Sequence, residues 1–366
     1  MTRLEEVTAK LATLRQWMHH HNYAGTVLST QASFSWITGG GDHKVGIASD
    51  TGISRVVVTQ AGQYVLTCNI EAPRLGDEEL AGLHFELIAD NWHEQDDLAR
   101  LQPLCSGKLA SDTGWPGGAA DEADALGRLS WALLPPELER YRRCGAICSR
   151  ALAETAREIE PGMTEYQIAA VLAGKVMAAG ADPVVVLVAT DERIFKYRHP
   201  LPKAKLLEKQ AELVLCGRLG GLITSATRIV HFGALPQELA DKHQAVCTVD
   251  ACFNLESVPG AAVKDIFRQA VETYAATGFA EEWRLHHQGG GTGYGSRTYK
   301  GGLESPEVVL ENQAFAWNPS ITGTKSEDTI VAHKDGEEWL STSAEWPMIE
   351  VEWKGRKVER AGILVR

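Results

Sequence analysis

The segment 211–233, "AELVLCGRLGGLITSATRIVHFG", limits the possible folds most, because two apolar, strand-like stretches flank Gly220 and Gly221. This pattern predicts a β-hairpin. Strand-like runs continue in "QAFAWNPSITGT" and "SEDTIVAH", and helical patterns near 235–256 and 261–277 interrupt them. The sequence therefore predicts that the second part of the chain is α+β, with helices packed on antiparallel sheet.

A domain boundary is predicted at "LLPPELERYRR", where Pro135 and Pro136 end one segment and begin a helix. Proline suits the first helical positions, because the missing N–H would have no partner there. Before this point, helical patterns alternate with strand-like stretches at 24–30, 54–60 and 63–69. We therefore predict a small α/β domain over 1–134 and an α+β domain over 135–366.

Composition narrows the classes of partner. The 366 residues carry a formal net charge of −12, and the pI is about 5.5. An acidic chain lacks the basic footprint that nucleic acid requires, and no basic cluster indicates a membrane surface. The longest apolar run, 184–189, is too short to span a bilayer. Seven cysteines without a CxxC pair favour free thiols in a reducing compartment, so we expect a cytoplasmic protein.

Seven motifs occur in a characteristic order: "ASFSWITGG", "EIEPGMTE", "YRHP", "ATRIVHFG", "HHQGGGTG", "WNPSI" and "KSEDTIVAH". Their order and spacing resemble those of the creatinase, aminopeptidase P and prolidase family. The resemblance covers almost the whole chain. It implies a creatinase-type N-terminal domain, a pita-bread C-terminal domain and a homodimer.

The resemblance also locates the metal-ligand positions. Metal-dependent family members hold two divalent ions with two aspartates, one histidine and two glutamates, whose charge offsets the repulsion between the cations. The matching residues here are, in order, Cys216, Ser225, Gly290, Asn318 and Glu327. Glycine has no ligating side chain, and serine and asparagine are weak neutral ligands. We therefore expect no metal and no other cofactor.

Creatinase hydrolyses a carbon–nitrogen bond without a metal, and the resemblance implies how this chain could do the same. The histidine of the "HP" motif, the implied proton shuttle, is His199, and imidazole has the pKa that general acid–base catalysis needs. Glu327 would orient this ring or bind a cationic substrate group. Five further residues are candidates for substrate binding: His286, Asn318, Arg228, Tyr197 and Arg297.

Several of these residues have an ordinary structural interpretation as well. Arg228 could equally form a salt bridge that ties the sheet together, and Cys216 is better explained as a core thiol than as a nucleophile. A single zinc site from Cys216, His199, His286 and Glu327 is disfavoured, because structural zinc ligands usually lie close together in sequence. The triplet His19–His21 is best explained as an exposed helix end.

The predicted function is metal-independent hydrolysis of a carbon–nitrogen bond in a small amino-acid-like, peptide-like or amidino substrate. The expected partners are a small-molecule or short-peptide substrate and a second copy of the chain. One alternative is a non-catalytic protein that binds a metabolite or partner in the old active-site cavity. The other is an ordinary metal-dependent Xaa-Pro aminopeptidase, which the replaced ligands disfavour.

Overall fold

The computed structural model describes all residues from 1 to 366, and the chain divides into two compact units. The first unit contains Met1–Glu139 and Gly220–Leu222, and the second contains Arg140–Leu219 and Ile223–Arg366. The predicted division after residue 134 falls at the start of a long helix, Pro135–Glu158. No helix combines the length and the apolar character that a crossing of the bilayer would need.

The first unit is built on one six-stranded mixed sheet in the order β4-β3-β2-β1-β5-β6. Its strands are β1 (Gly25–Thr30), β2 (Thr51–Thr59), β3 (Gln63–Cys68), β4 (Glu86–Asp90), β5 (Leu109–Ser111) and β6 (Ala120–Asp121). Its helices are α1 (Arg3–His20), α2 (Gln31–Ile37), α3 (Ala72–Arg74), which continues as a π-helical turn over Leu75–Glu79, α4 (Asp97–Leu101) and α5 (Ala123–Arg128). Strands β1, β2 and β3 pair antiparallel, and the outer strands pair parallel, as expected of a small α/β unit.

The second unit combines two four-stranded sheets, with the orders β10-β11-β14-β15 and β18-β9-β8-β7, and two separate strand pairs. Helix α6 (Pro135–Glu158) begins in the first unit and continues into the second at Arg140. The other helices of the second unit are α7 (Glu165–Ala178), α8 (Glu192–Lys196), α9 (Gln237–Glu256) and α10 (Val263–Ala276), with a 3₁₀ turn at Glu282–Leu285. Its strands are β7 (Asp182–Thr190), β8 (Gln210–Leu219), β9 (Leu222–His231), β10 (Gly289–Thr292), β11 (Gln313–Trp317), β12 (Ser320–Ile321), β13 (Thr324–Lys325), β14 (Asp328–His333), β15 (Gly336–Trp339), β16 (Met348–Trp353), β17 (Arg356–Ala361) and β18 (Leu364–Val365). The predicted α+β class is confirmed, as are the two predicted helices between the strands.

Aromatic side chains form the centre of the second core, where α9 and α10 cover β11. The ring of Trp317 stacks on Phe253 with centroids 4.4 Å apart and on Phe315 with centroids 5.7 Å apart. All three rings are fully buried, so each contributes a large apolar area to the core. The indole N–H of Trp317 donates to Ser257 Oγ at 2.9 Å, which satisfies the one polar atom of the stack. The strand that precedes Asn318 is therefore rigidly held.

A buried ionic network joins α9, β9, β14 and β17. Arg360 is fully buried and its guanidinium donates to Asp250 on α9 and to Asp328 on β14. Arg228 on β9 donates to the other oxygen of Asp328 at 2.8 Å, and Ser341 also donates to that oxygen. Burial alone raises the pKa of Asp328, but the two guanidinium groups outweigh this effect and lower the pKa. Asp328 therefore stays ionised and fixes the start of β14.

Removing the cation at the centre of this network should destabilise the protein strongly. We expect Arg360→Met to lower the free energy of unfolding by about 3–5 kcal/mol, because Asp250 and Asp328 would be left buried with too little positive charge. Arg356→Met, on the same strand, is the matched control, since its ion pair with Glu337 involves an exposed guanidinium. That change should cost less than about 1 kcal/mol. Equal urea midpoints for the two variants would contradict the assigned role of Arg360.

A buried histidine predicts how stability depends on pH. His243 on α9 contacts Thr324 Oγ1 at 2.7 Å and the carbonyl of Ala361 at 2.8 Å, and burial lowers its pKa to about 4. The unfolded chain takes up this proton near pH 6.5 and the folded chain only near pH 4, so stability is lost as the pH falls between them. We expect His243→Gln to remove about 1.4 kcal/mol per pH unit from that slope, measured by urea unfolding at pH 4.5–7. An unchanged slope would contradict the low pKa.

Candidate active site

A small cavity of about 130 Å³ lies within the second unit. Its apolar wall comes from one face of the β7–β8 pair, because Val185 is directly opposite Cys216 and Leu187 is directly opposite Val214. Polar side chains from the following loops complete it. The lining residues are Val185, Leu187, His199, Val214, Cys216, His287, Ser296, Arg297, Asn318, Lys325 and Glu327. The fold therefore brings both predicted catalytic residues, His199 and Glu327, to the same cavity.

Glu327 is buried and both of its carboxylate oxygens are held by cations. Lys325 Nζ lies 2.7 Å from Oε2, and Arg297 Nη2 lies 3.0 Å from Oε1. The hydroxyl of Thr227 also donates to Oε2, at 2.7 Å. Burial raises the pKa of Glu327, but Lys325 and Arg297 outweigh it and lower the pKa to about 2. The carboxylate is therefore ionised and already neutralised by protein cations.

Three histidines from two segments meet beside this carboxylate. His199 follows α8, and His286 and His287 follow the 3₁₀ turn. His286 Nε2 lies 3.1 Å from His199 Nε2, and the rings of His286 and His287 stack with centroids 4.3 Å apart. Burial and the charge of Lys325 lower the pKa of His199, and the same two causes lower the pKa of His286 to about 2. Burial and the charge of Arg297 lower the pKa of His287 to about 4. All three imidazoles are therefore neutral at pH 7.

The two positions matched to aspartates lie side by side. Cys216 on β8 and Ser225 on β9 are both buried, and the Cys216 sulfur lies 3.1 Å from Ser225 Oγ. Burial and the nearby Glu327 raise the pKa of the Cys216 thiol. The thiol is therefore protonated at neutral pH, in agreement with its interpretation as an unreactive core residue.

The position matched to the histidine ligand has no room for a side chain. Gly290 has φ = +148°, and a Cβ built on it would lie 2.4 Å from the carbonyl oxygen of Tyr299 and 2.7 Å from the amide nitrogen of Gly301. The segment 298–301 runs along β10, where Thr298 N–H donates to Gly291 and Gly301 N–H donates to Gly289. Main chain therefore fills the space that a ligand side chain would need.

The remaining candidates are divided between the cavity and other places. Asn318 lines the cavity, and its Oδ1 atom is buried without a hydrogen-bond partner. Arg228 does not line it, since its guanidinium pairs with Asp328 in the buried network; the salt-bridge interpretation of Arg228 is the one that the structure supports. Tyr197 is exposed and stacks under the guanidinium of Arg193 rather than facing the cavity. Its predicted place in substrate binding therefore has no geometric support.

One residue that lines the cavity, Lys325, and one buried acid that interacts with it electrostatically, Glu212, were missed by the sequence analysis. Lys325 precedes Glu327 by two residues, and this spacing in a strand-like segment was the available signal that both side chains share a face. Glu212 on β8 is fully buried, and burial raises its pKa to about 7, although Lys325 opposes the shift. It shares its strand face with Val214 and Cys216, so the alternation in "ELVLC" could have located it.

Comparisons with known proteins identify the fold around this cavity. The model of metallopeptidase family M24 matches residues 139–335. The chain belongs to this family. The probable dipeptidase PepE of Mycobacterium bovis is 25% identical over 228 residues, which are 58% of this chain and 59% of that protein. The match thus spans under two thirds of the relative's length.

Solved structures extend the similarity to the whole chain. The prolidase of Pyrococcus horikoshii has a TM-score of 0.78 at 16% identity and covers 92% of this chain and 98% of its own. The X-Pro aminopeptidase of Thermotoga maritima has a TM-score of 0.76 at 18% identity, and the match covers 97% of this chain and 99% of the aminopeptidase. These likenesses confirm the predicted pita-bread fold. The three similar proteins are described as a probable dipeptidase, a prolidase and an X-Pro aminopeptidase.

The filled space at Gly290 leads to a stability prediction. We expect Gly290→Ala to lower the free energy of unfolding by about 2–5 kcal/mol, from the clash with Tyr299 and the positive φ together. Gly302→Ala is the matched control, because a Cβ there would meet only Ser305 Oγ, at 3.9 Å. The control should change stability by about 0.5 kcal/mol. If thermal unfolding finds Gly290→Ala as stable as the control, segment 298–301 does not fill that space.

Proposed function

We propose that the protein hydrolyses a carbon–nitrogen bond in a small amino-acid-like or peptide-like substrate without the two-metal centre of its relatives. The observation that carries this proposal is the state of Glu327. Each of its oxygens already faces a protein cation, Lys325 or Arg297. Because these two cations already neutralise the carboxylate, it cannot also offset the charge of a pair of divalent ions.

The other four matched positions support the same conclusion. Two bridged divalent ions need several anionic or imidazole ligands around them. Here Cys216 is a protonated thiol that is hydrogen-bonded to Ser225, and Asn318 is neutral. Gly290 has no side chain, and the neighbouring main chain leaves no room for one. These residues do not fit a two-metal centre, so the proposed reaction uses only groups of the protein and water.

The charge of the cavity indicates what kind of substrate it accepts. Lys325 and Arg297 together outweigh the single negative charge of Glu327, and a cationic amidino group would meet repulsion there. Arg297 Nε is buried without a partner and can donate to a substrate carboxylate. The unpartnered Oδ1 of Asn318 can accept a substrate N–H. A cavity of about 130 Å³ is small beside the roughly 300–1,000 Å³ of drug-sized sites, so only the reacting group would enter it.

The proposed chemistry starts at His199. Its neutral ring takes a proton from water, and the resulting hydroxide oxygen bonds to the substrate carbonyl carbon. The negative charge that develops on the carbonyl oxygen is stabilised by Arg297 and Lys325. The carbon–nitrogen bond then breaks, and the His199 imidazolium returns its proton to the leaving nitrogen. His286, whose Nε2 contacts His199 Nε2, would hold that ring in place.

A second candidate function, binding without turnover, is favoured by one observation. Glu327 is the only carboxylate lining the cavity, and its contacts with Lys325, Arg297 and Thr227 use both oxygens. The cavity would then serve as a small anion-binding site. This function predicts thermal stabilisation by the ligand without chemical conversion.

The test is an activity screen on chelator-treated, untagged protein whose metal content has been measured by mass spectrometry. The substrates are Xaa-Pro and other dipeptides, N-acyl amino acids and creatine, and release of the free amine is measured. We expect turnover of a carboxylate-bearing amide in the presence of chelator and none of creatine. His199→Ala should lower kcat by about 10²–10⁴-fold, because it removes the general base.

His93→Ala, an exposed histidine of the first unit, is the control and should keep full activity. Turnover that requires added manganese or cobalt would instead support a metal-dependent Xaa-Pro peptidase. Stabilisation by carboxylate ligands with no turnover would support the binding function. Unchanged turnover in His199→Ala would overturn the proposed mechanism.

A further inference from the structure

The three-histidine cluster has the geometry of a metal site that is distinct from the family positions discussed above. One ring nitrogen from each of His199, His286 and His287 lies within 4.8 Å of the other two. The shortest separation, 3.1 Å between the Nε2 atoms of His199 and His286, is close to the roughly 3.3 Å between two nitrogens that bind one tetrahedral zinc ion at 2.0–2.1 Å. The third nitrogen, from His287, lies within the same 4.8 Å of the other two.

The protonation state of the cluster also suits a metal. Metal ions bind the neutral form of imidazole, and binding usually has to displace a proton. Burial and nearby cations keep all three rings neutral at pH 7. His286 Nδ1 is buried without a hydrogen-bond partner, so the ring has no competing protein contact besides the one between its Nε2 atom and His199 Nε2.

We propose that His199, His286 and His287 together bind one late first-row transition-metal ion, with zinc as the reference ion. Three imidazoles select Zn²⁺, Ni²⁺ or Cu²⁺ over Mg²⁺, Ca²⁺ and Mn²⁺, which prefer oxygen ligands. Neither Cys216 nor Glu327 is among the proposed ligands, because the thiol is hydrogen-bonded to Ser225 and the carboxylate is paired with protein cations. The fourth coordination position would be left to water or a small ligand.

The surroundings set the strength of this binding. Lys325, Arg297 and Lys300 act electrostatically on the histidines and oppose a dication as well. The dissociation constant should therefore be on the order of micromolar, which is weaker than that of structural zinc sites. Such a site would respond to the concentration of available metal rather than hold it permanently.

Metal binding has a consequence for the proposed reaction, and this consequence alone rests on the proposed function. Coordination uses the lone pair with which His199 would take a proton from water. The metal ion would therefore inhibit the hydrolysis, and its removal would restore it. In the family's two-metal enzymes the metals belong to the catalytic machinery, so the sign of the effect is reversed here.

The first test measures binding without any substrate. Untagged, chelator-treated protein is titrated with zinc chloride by calorimetry, and the zinc complex is examined by X-ray absorption. We expect one equivalent of zinc, with nitrogen ligands near 2.0–2.1 Å and no sulfur ligand. Single variants His199→Gln, His286→Ala and His287→Ala should each weaken binding at least tenfold, while their melting temperatures without metal confirm that they are folded.

The matched control is the double variant His19→Ala/His20→Ala, which removes two exposed histidines at the end of α1 and should bind zinc like the parent protein. The proposal is overturned by absent zinc binding, by a sulfur ligand, by binding that survives in His286→Ala or by binding that is lost in the control. Because no substrate is present, these results do not depend on whether the protein is a hydrolase. In an active preparation, free zinc at about ten times the measured dissociation constant should reduce turnover about tenfold.

Discussion

The ionic contact between Arg360 and Asp328 is the constraint on which the site depends. Asp328 and Glu327 are consecutive in an extended segment, and their side chains have different surroundings: Asp328 joins the buried network with Arg360 and Arg228, and Glu327 lines the cavity. Any shift of β14 that moved one carboxylate would move the other. The network is fully buried, so it holds this register with little tolerance for slippage. Contacts outside the cavity therefore determine where Glu327 lies within it.

Within the cavity, two protein cations balance the charge of Glu327, and under the proposed function they take the part that divalent ions would otherwise have. Lys325 and Arg297 neutralise Glu327, and the same charges help to keep the neighbouring imidazoles neutral. The protein groups alone thus give the cavity a positive potential. That potential suits a carbonyl oxygen that becomes negative during hydrolysis, and it also suits a bound carboxylate. Both candidate functions follow from the same electrostatic arrangement.

The order of motifs predicted the fold well, because a family pattern spread over the whole chain constrains topology even where single motifs are weak. It also predicted that His199 and Glu327 would meet. It could not predict that Lys325 and Arg297 would bind opposite oxygens of Glu327, since that depends on loop conformations after β10 and β13. Nor could it predict the use of Arg228, because a buried arginine and a substrate-binding arginine look the same in sequence. The sequence analysis missed the three-histidine cluster, because the side chains of consecutive residues usually point in different directions. Here the main chain that follows the 3₁₀ turn brings the rings of both His286 and His287 to His199.

The main chain that fills the space beside Gly290 makes the change at this position hard to reverse. Here a histidine would have to displace segment 298–301, whose hydrogen bonds to β10 are part of the sheet. A side chain at position 290 would therefore require a change in the path of that segment as well. Engineering a metal-binding side chain into position 290 would therefore have to begin with the neighbouring segment rather than with the position itself.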